Sequence, residues 1–377
     1  MVQVNKERML AEFKEIVSVP CHGLQERPVF EMLKRKLEDL GFSVEEDDAG
    51  KKLGGNCGNL WAFMPASAGA ENAVRVLLSA HMDGVEPCSG TTVVQKDGVL
   101  YSDGTTILGA DDKSGVEGIL EGIRLLKEEN VPHGDIQVLF TICEEGGVNG
   151  SRCLDKSKLR ADVGYALDGE GAPGEIVVGA PGQYKYKIDI IGRKAHGGLE
   201  PEKGINAIMI AAKALAAVER YGRIDEETTC NIGIINGGTA TNVVPDLVTI
   251  EGDARSRNNE KLVSIRDEVV NTIVESAKKY GAQVEAVVEH KYSSFLVAKD
   301  SEVVALAKDA CEKHGFIPNI TLTGGGSDAN FINSYGIPCV ILGTGMANVH
   351  TVDEYIKEED LYNSALMVYG ILRAAVK

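Results

Sequence analysis

Basic residues are scarce in this sequence, which has 39 Lys and Arg against 56 Asp and Glu and a formal net charge of −17. Because binding to nucleic acid needs a basic surface, this deficit argues against a nucleic-acid partner. No apolar run approaches the roughly 20 residues of a membrane-spanning helix. Residues 1–8 are polar and lack the apolar centre of a signal peptide. We therefore expect a cytoplasmic protein with no membrane partner.

Paired cysteine motifs are also missing. The eight cysteines are scattered and contain no Cys-x-x-Cys pair, which excludes a zinc site built on such pairs. We interpret them as reduced structural residues, as is usual in cytosolic proteins. The sequence contains no internal repeat or low-complexity segment. Its 377 residues exceed the usual size of a single hydrophobic core, so we expect two domains.

The most informative stretch covers residues 79–84, Ser-Ala-His-Met-Asp-Gly. It follows the apolar residues 73–78, which predict a buried strand, so His81 is expected where that strand ends. Asp83 lies two residues further on, close enough to orient the imidazole ring. A histidine backed by a carboxylate is typical of a metal ligand, although a single His-x-Asp is more often a plain surface or core pair.

Further acidic or histidine-bearing stretches follow apolar runs or glycine turns. They are residues 109–113, 141–147, 165–170 and 348–351. In open α/β sheets, ligand sites gather outside the carboxyl ends of the strands. Two histidines and several carboxylates at such ends supply the mixed nitrogen and oxygen ligands that zinc or a similar divalent ion binds.

The adjacent carboxylates Glu144 and Glu145 are the strongest of these signals. Neighbouring side chains at a strand end diverge, so one can bind a metal while the other acts on a water molecule as general base. The alternative is a solvated acidic turn. Asp111 follows a glycine turn and is suited to bridge two ions, but for Asp111 and Asp112 a helix cap is the alternative, and Asp168 has the same ambiguity.

The order of predicted elements divides the chain into two domains. Residues 1–183 and 293–377 alternate strands and helices, which predicts one discontinuous α/β domain with a largely parallel sheet. Residues 184–292 follow the order β-α-β-β-α-β with half-exposed strands, which predicts an inserted ferredoxin-like α+β domain. Within the first domain we expect helices over residues 115–128 and 151–159.

Three polar residues of the inserted domain are candidates for substrate contacts. His196 lies in a glycine-rich segment, and it joins the ligand residues only if the domains close or subunits associate. Arg255 has a guanidinium suited to a substrate carboxylate or carbonyl, and Asn242 belongs to the same domain. The alternative for each is a surface residue in a salt bridge. Gly324–Gly326 lacks the lysine of a phosphate loop, so we interpret it as a turn that allows close backbone approach.

Taken together, these motifs resemble the co-catalytic dizinc exopeptidases and amidohydrolases, typified by peptidase T, carboxypeptidase G and succinyl-diaminopimelate desuccinylase. The resemblance is closest to the peptidase T-like branch and covers nearly the whole chain. It implies a three-layer, zinc-exopeptidase-like catalytic domain with a mostly parallel mixed sheet, and an inserted lid or dimerisation domain. The matching motifs occur in family order at residues 81–83, 109–113, 144–146, 168–170, 195–198, 204–208, 242–245, 325–328 and 350–351.

The resemblance also implies a role for each candidate residue. The expected metal ligands are His81, Asp111, Glu145, Asp168 and His350. The expected catalytic residues are Glu144 as general base, Asp83 to orient His81, and His196 to stabilise the oxyanion, from its own or a partner subunit. The expected substrate contacts are Arg255 and Asn242.

The implied cofactor is a pair of Zn²⁺ ions, with Co²⁺ or Mn²⁺ as substitutes in vitro. His81 and Asp168 would hold one ion, Glu145 and His350 would hold the other, and Asp111 would bridge them. The peptide bond between Asp111 and Asp112 is expected to be cis, a costly geometry for a residue other than proline.

We therefore expect a metal-dependent hydrolase that cleaves an amide bond in short peptides, as a tripeptide-type aminopeptidase, and that forms a homodimer through the inserted domain. An N-acyl amino acid deacylase or a carboxypeptidase with the same mechanism is the first alternative. A metal-binding protein without catalysis is the second, and the presence of Glu144, five ligands and His196 together argues against it.

Overall fold

The computed structural model describes residues 2–376, which form two compact units. The first contains the residues up to Gly179, Leu296–Thr323 and those from Ser327 onward. The second contains Ala180–Phe295 together with Gly324–Gly326. The sequence pattern places the boundaries a few residues further inside, at 184 and 292.

The first unit is built on a mixed sheet. The strands in order across it are Ser43–Glu46, Leu60–Met64, Ile136–Thr141, Val76–His81, Val163–Gly169, Cys339–Gly343, Glu175–Val177 and Asn319–Thr321. From the third to the sixth of these strands every neighbouring pair is parallel, and antiparallel pairs lie towards the edges. The predicted α/β architecture with a mostly parallel mixed sheet is confirmed.

Parallel pairing is what brings the candidate residues to one edge of this sheet. Val76–His81 pairs in parallel with both Ile136–Thr141 and Val163–Gly169, so the carboxyl ends of the three strands lie side by side. Every residue of the first two strands is buried. Because side chains alternate between the two faces of a strand, both faces of the sheet must be covered, as is usual for parallel sheets.

Helices cover this sheet. Their bounds are Lys6–Val17, Arg27–Asp39, Ala49–Leu53, Ala110–Glu128, Asn149–Arg152, Glu302–His314, Asp328–Ser334 and Glu358–Ala374. The predicted helix over 151–159 is wrong, because the chain forms only the short helix Asn149–Arg152 and a 3₁₀ turn, Lys156–Lys158. The Asp155 side chain accepts hydrogen bonds from the Ser157 N–H and hydroxyl, a local alternative that competes with helix.

A small antiparallel sheet in the first unit was not predicted as such. Its strands in order are Met346–Ala347, Tyr355–Lys357, Val99–Ser102 and Val93–Lys96. The first two strands pair with each other and flank the turn that carries His350. Since Tyr355–Lys357 also pairs with Val99–Ser102, this turn is anchored to a distant part of the chain.

The second unit has the predicted ferredoxin-like order. Its main strands and helices are Gly182–Ile191, Ala207–Ala216, Thr228–Gly237, Leu247–Ser256, Asn259–Lys279 and Gln283–Tyr292. All strand pairs in its sheet are antiparallel, with Leu247–Ser256 and Gly182–Ile191 in the centre. The two helices begin at asparagine caps, Asn206 and Asn258, whose side chains accept backbone N–H groups. Their apolar faces and the sheet enclose one core.

At Gly326, a Cβ atom would collide with the ring of Tyr292, so this glycine does allow the close approach that we expected at the turn. Among the described residues, no helix combines the length and apolar character needed to cross a lipid bilayer.

Candidate active site

Asp111 lies between two histidines that are far apart in the sequence. One of its carboxylate oxygens, Oδ1, is 2.9 Å from His81 Nε2, and the other, Oδ2, is 3.2 Å from His350 Nε2. His81 is the last residue of Val76–His81, and Asp111 lies at the start of the helix Ala110–Glu128. A single carboxylate therefore presents a different oxygen to each imidazole.

Each histidine also faces a second carboxylate. His81 Nε2 is 3.8 Å from Asp168 Oδ1, and His350 Nε2 is 2.9 Å from Glu145 Oε1. Two ligands that bind one tetrahedral ion at 2.0–2.2 Å are about 3.4 Å apart. The observed separations of 2.9–3.8 Å therefore fit two neighbouring cation positions with nitrogen and oxygen donors.

Two groups of donor atoms in the described part of the chain are close enough to hold an ion. The first is His81, Asp111 and Glu145, and the second is His81, Asp112 and Asp168, with donor atoms within 4.8 Å of one another in each group. Asp112 was not among the expected ligands. Its Oδ2 accepts the backbone N–H of His81, and its Oδ1 is buried without a hydrogen-bond partner. The peptide bond between Asp111 and Asp112 is cis, as the resemblance implies.

Asp83 joins the histidine to the two adjacent glutamates. Its Oδ1 is 3.3 Å from His81 Nδ1 and accepts the N–H of Glu144, while Oδ2 accepts the N–H of Glu145. Asp83 is itself fully buried. Both of its oxygens are therefore used to align the imidazole and the backbone of the residues that we expect to bind metal and activate water.

The site contains more carboxylates than its histidines can neutralise. Burial raises the pKa of Glu144 and that of Asp168 well above the usual range, and further negative charge, from Asp168 and Asp111 respectively, adds to this. Hydrogen bonds with Asp111 and then Glu145 raise the pKa of His350 to about 10. Although burial opposes it, hydrogen bonds with His350 and His81 lower the pKa of Asp111. Such crowding of buried carboxylates is the environment that a bound cation stabilises.

His196 and Asn242 lie together in the second unit. The short strands Ala195–His196 and Val243–Val244 pair with each other, and the Asn242 carbonyl accepts the N–H of Gly197. His196 Nδ1 accepts the N–H groups of Gly198 and Leu199. In a neutral ring this arrangement puts the proton on Nε2, which is then a hydrogen-bond donor.

Arg255 lies on Leu247–Ser256, a central strand of the second unit, with 36% of its side chain exposed. Its Nε donates to Asp253 Oδ2 over 2.9 Å, and Gln183 donates to the same oxygen. The contact with Asp253 fixes one edge of the guanidinium. Arg255 therefore forms a salt bridge, as expected in the alternative interpretation of a surface residue without substrate contacts.

The sequence analysis assigned no role to several buried groups around the site, although Lys113 and Asp328 lie in its matching motifs. Asp328 accepts the Thr141 hydroxyl, and its charge contributes to the raised pKa of Glu144 after burial and the charge of Asp168. Lys113 is buried and its Nζ donates to the Asp83 carbonyl. Glu26 and Glu354 each accept backbone N–H groups of the site. The N–H groups that these glutamates accept are distant in the sequence. The only local signal for either glutamate was the short spacing between Glu354 and the candidate ligand His350.

Glu26 contacts the backbone directly before the two adjacent glutamates. Its side chain is fully buried, and Oε1 accepts the N–H of Cys143 over 3.0 Å. Burial, and then the charge of Asp83, raises the pKa of Glu26 from 4.5 to about 7. The folded protein therefore binds this proton more tightly than the unfolded chain. The stability that the proton provides is complete below pH 4.5 and is lost as the pH rises through 7.

We expect the Glu26→Gln variant to lack this pH dependence, since Gln keeps the carbonyl acceptor but does not titrate. The difference in free energy of unfolding, wild type minus variant, should fall by about 3 kcal/mol between pH 4.5 and 8. Urea unfolding of the metal-free proteins measures it. Glu31→Gln, at a half-exposed glutamate, is the matched control. Parallel pH curves for wild type and Glu26→Gln would show that Glu26 has an ordinary pKa.

The chain is similar to known proteins over most of its length. The model of peptidase family M20/M25/M40 matches residues 77–374. A protein of Bacillus subtilis (strain 168) named uncharacterized protein YqjE is 42% identical over 374 residues, which covers 99% of this chain and 100% of that protein.

Two crystal structures are similar over the full length. Aminopeptidase PepT from Bacillus cereus ATCC 10987 has a TM-score of 0.91 and 43% identity, and covers 99% of this chain and 100% of its own. A tripeptidase from Staphylococcus aureus subsp. aureus Mu50 has a TM-score of 0.94 and 38% identity, with 99% of both chains covered. These similarities confirm the predicted zinc-exopeptidase-like fold.

The family is metal-dependent, and the cluster around Asp111 provides candidate ligands for a metal. The family model matches most of the chain, over residues 77–374. The chain therefore belongs to peptidase family M20/M25/M40 and is a metallopeptidase.

Proposed function

We propose that this protein is a dizinc aminopeptidase that acts on tripeptides and other short peptides. The observation that carries the proposal is the position of Asp111, whose two oxygens face His81 and His350 separately. A carboxylate in this position would hold one ion on each oxygen, as suits a two-metal site. In this proposal His81 and Asp168 complete one site, and Glu145 and His350 complete the other.

Two bound Zn²⁺ ions would supply Lewis-acid chemistry, lowering the pKa of a shared water and polarising the scissile carbonyl. The chain's own residues then carry the proton. Glu144 takes it from the attacking water and delivers it to the leaving amine. Its neighbour Glu145 is held as a ligand, and Asp83 keeps the backbone of both glutamates in place through the N–H groups.

We assign the remaining candidate residues to the substrate. His196 stabilises the developing oxyanion, for which the Nε2–H donor favoured by its contacts with Gly198 and Leu199 is suited. Arg255 and Asn242 contact the substrate, the former through the part of its guanidinium that is not turned to Asp253.

The names of the similar structures support the substrate assignment. They are an aminopeptidase and a tripeptidase, which supports short peptides as substrates. The eight free cysteines support a cytoplasmic location, because thiols stay reduced there. We propose a homodimer formed through the second unit, which the molar mass in solution tests.

The test is hydrolysis by a metal-defined sample. We expect a chelator to abolish activity and two equivalents of Zn²⁺, Co²⁺ or Mn²⁺ per chain to restore it. The substrate panel should contain free tripeptides, N-acetylated tripeptides and N-acyl amino acids. Release of the first residue from free tripeptides alone supports the proposal.

The other outcomes would each identify a different protein. Release of the last residue would identify a carboxypeptidase, and cleavage of N-acyl amino acids would identify a deacylase. Binding of metal without hydrolysis of any substrate would favour a non-catalytic protein.

A further inference from the structure

Glu354 holds the backbone on both sides of Ala110, next to the proposed bridging ligand. Its side chain is fully buried, Oε2 accepts the N–H of Gly109 over 2.6 Å, and Oε1 accepts the N–H of Asp111 over 3.0 Å. Both oxygens of one carboxylate are therefore used on one short loop. The contact joins residues 243 positions apart in the chain.

The loop needs such a partner because it lies before the regular turns of the helix. Gly109 has a φ of +76° and no side chain, and Asp111 is not helical, with φ −80° and ψ 106°. Backbone N–H groups in such an irregular buried segment need acceptors from elsewhere. The carboxylate of Glu354 supplies them for Gly109 and Asp111.

Glu354 also belongs to the turn that carries His350. The Glu354 N–H donates to the Thr351 carbonyl, and the strand Tyr355–Lys357 starts at the next residue. His350 has a φ of +64°, a left-handed conformation that is uncommon outside glycine and needs support from its surroundings. Glu354 thus ties the turn of one ligand to the loop of another.

We propose that Glu354 is a positioning residue. It holds Asp111 and His350 at the separation required by the second metal ion, which is the ion of the Glu145–His350 site. This inference rests on the proposed function. His81 is held independently, at the end of a buried strand and with Asp83 Oδ1 3.3 Å from its Nδ1. Loss of Glu354 should therefore weaken the Glu145–His350 site more than the His81–Asp168 site.

The experiment is metal binding by purified full-length protein. Zn²⁺ affinity is measured by competition with a chromogenic chelator, and coordination by the visible absorption of the Co²⁺-loaded protein. We expect wild type to bind two ions and Glu354→Gln to bind the second ion about 10- to 100-fold more weakly. In Glu354→Gln the side chain retains one carbonyl oxygen but turns an amide NH₂ towards the other N–H. Glu354→Ala loses both acceptors, so its affinity for the second ion should be lower still.

The control is Glu359→Gln, a nearby exposed glutamate, which should bind like wild type. Circular dichroism of the metal-free proteins checks folding, and Glu354→Gln serves if Glu354→Ala does not fold. Unchanged affinities in a folded variant, or equal weakening of both ions, would overturn the inference while leaving the proposed function intact. Wild type that binds one ion would overturn both.

Discussion

The Glu144→Gln variant is expected to lose about 10²- to 10⁴-fold in kcat while it still binds two metal ions. Gln has nearly the same shape as Glu but cannot accept the proton of the attacking water. Glu144 has no part in the proposed coordination, whereas its neighbour Glu145 lies 2.9 Å from His350. The loss should fall on kcat more than on KM, because proton transfer is a feature of the transition state.

Two measurements decide this prediction. Steady-state hydrolysis of a tripeptide gives kcat and KM, and elemental analysis of the same sample gives the metal content. Glu170→Gln, at an exposed glutamate after the strand Val163–Gly169, is the matched control and should retain activity. Near-normal kcat in Glu144→Gln would remove the general base from the proposal. Loss of metal in that variant would instead identify Glu144 as a ligand.

The Asp111→Asn variant is expected to lose at least one metal ion and about 10³-fold or more in kcat/KM. A neutral amide offers one oxygen donor and no charge, so it cannot bridge two cations. Lewis-acid stabilisation of the transition state is worth several kcal/mol, and each 1.4 kcal/mol corresponds to about tenfold in rate. Unlike Glu144→Gln, this variant should lose activity together with its metal.

A second measurement on Asp111→Asn needs no activity. The hydrogen bond with Asp111 is the largest cause that raises the pKa of His350 to about 10. In the metal-free variant that pKa should move down towards 6.5, as followed by NMR titration of the imidazole. Asp97→Asn is a suitable control, because Asp97 is exposed and has a φ of +53°, which asparagine tolerates. Two fully bound ions in Asp111→Asn would contradict a bridging role.

The strands that lead to this site were predictable because the sequence patterns that indicate them are local. The apolar run before His81 and the run before Glu144 and Glu145 are strands in the structure, Val76–His81 and Ile136–Thr141. Strand formation by a continuous buried run depends on neighbouring residues, and parallel pairing then brings the strand ends together. The helical and strand periodicities of residues 184–292 similarly determined the ferredoxin-like order of the second unit.

Local competition explains the error over residues 151–159. Asp155 and Ser157 form a side-chain turn that ends the helical pattern, although the apolar spacing alone favours a helix. The helix predicted over 115–128 is present within Ala110–Glu128, and Asp111 and Asp112 before it are not helical. Hydrogen bonds to Glu354 hold this irregular start, and such contacts do not affect hydrophobic periodicity.

By itself, the sequence determined the α/β architecture, the ferredoxin-like second unit and the strands and turns that carry the candidate ligands, since these depend on patterns between near neighbours. Only the tertiary structure decided which buried carboxylates hold the backbone around them, beyond the predicted contact of Asp83 with His81. Asp83, Glu26 and Glu354 each accept backbone N–H groups from segments 61, 117 and 243 residues away. Such contacts leave no periodic trace in a sequence, because a buried carboxylate can satisfy any N–H group that the fold brings within reach.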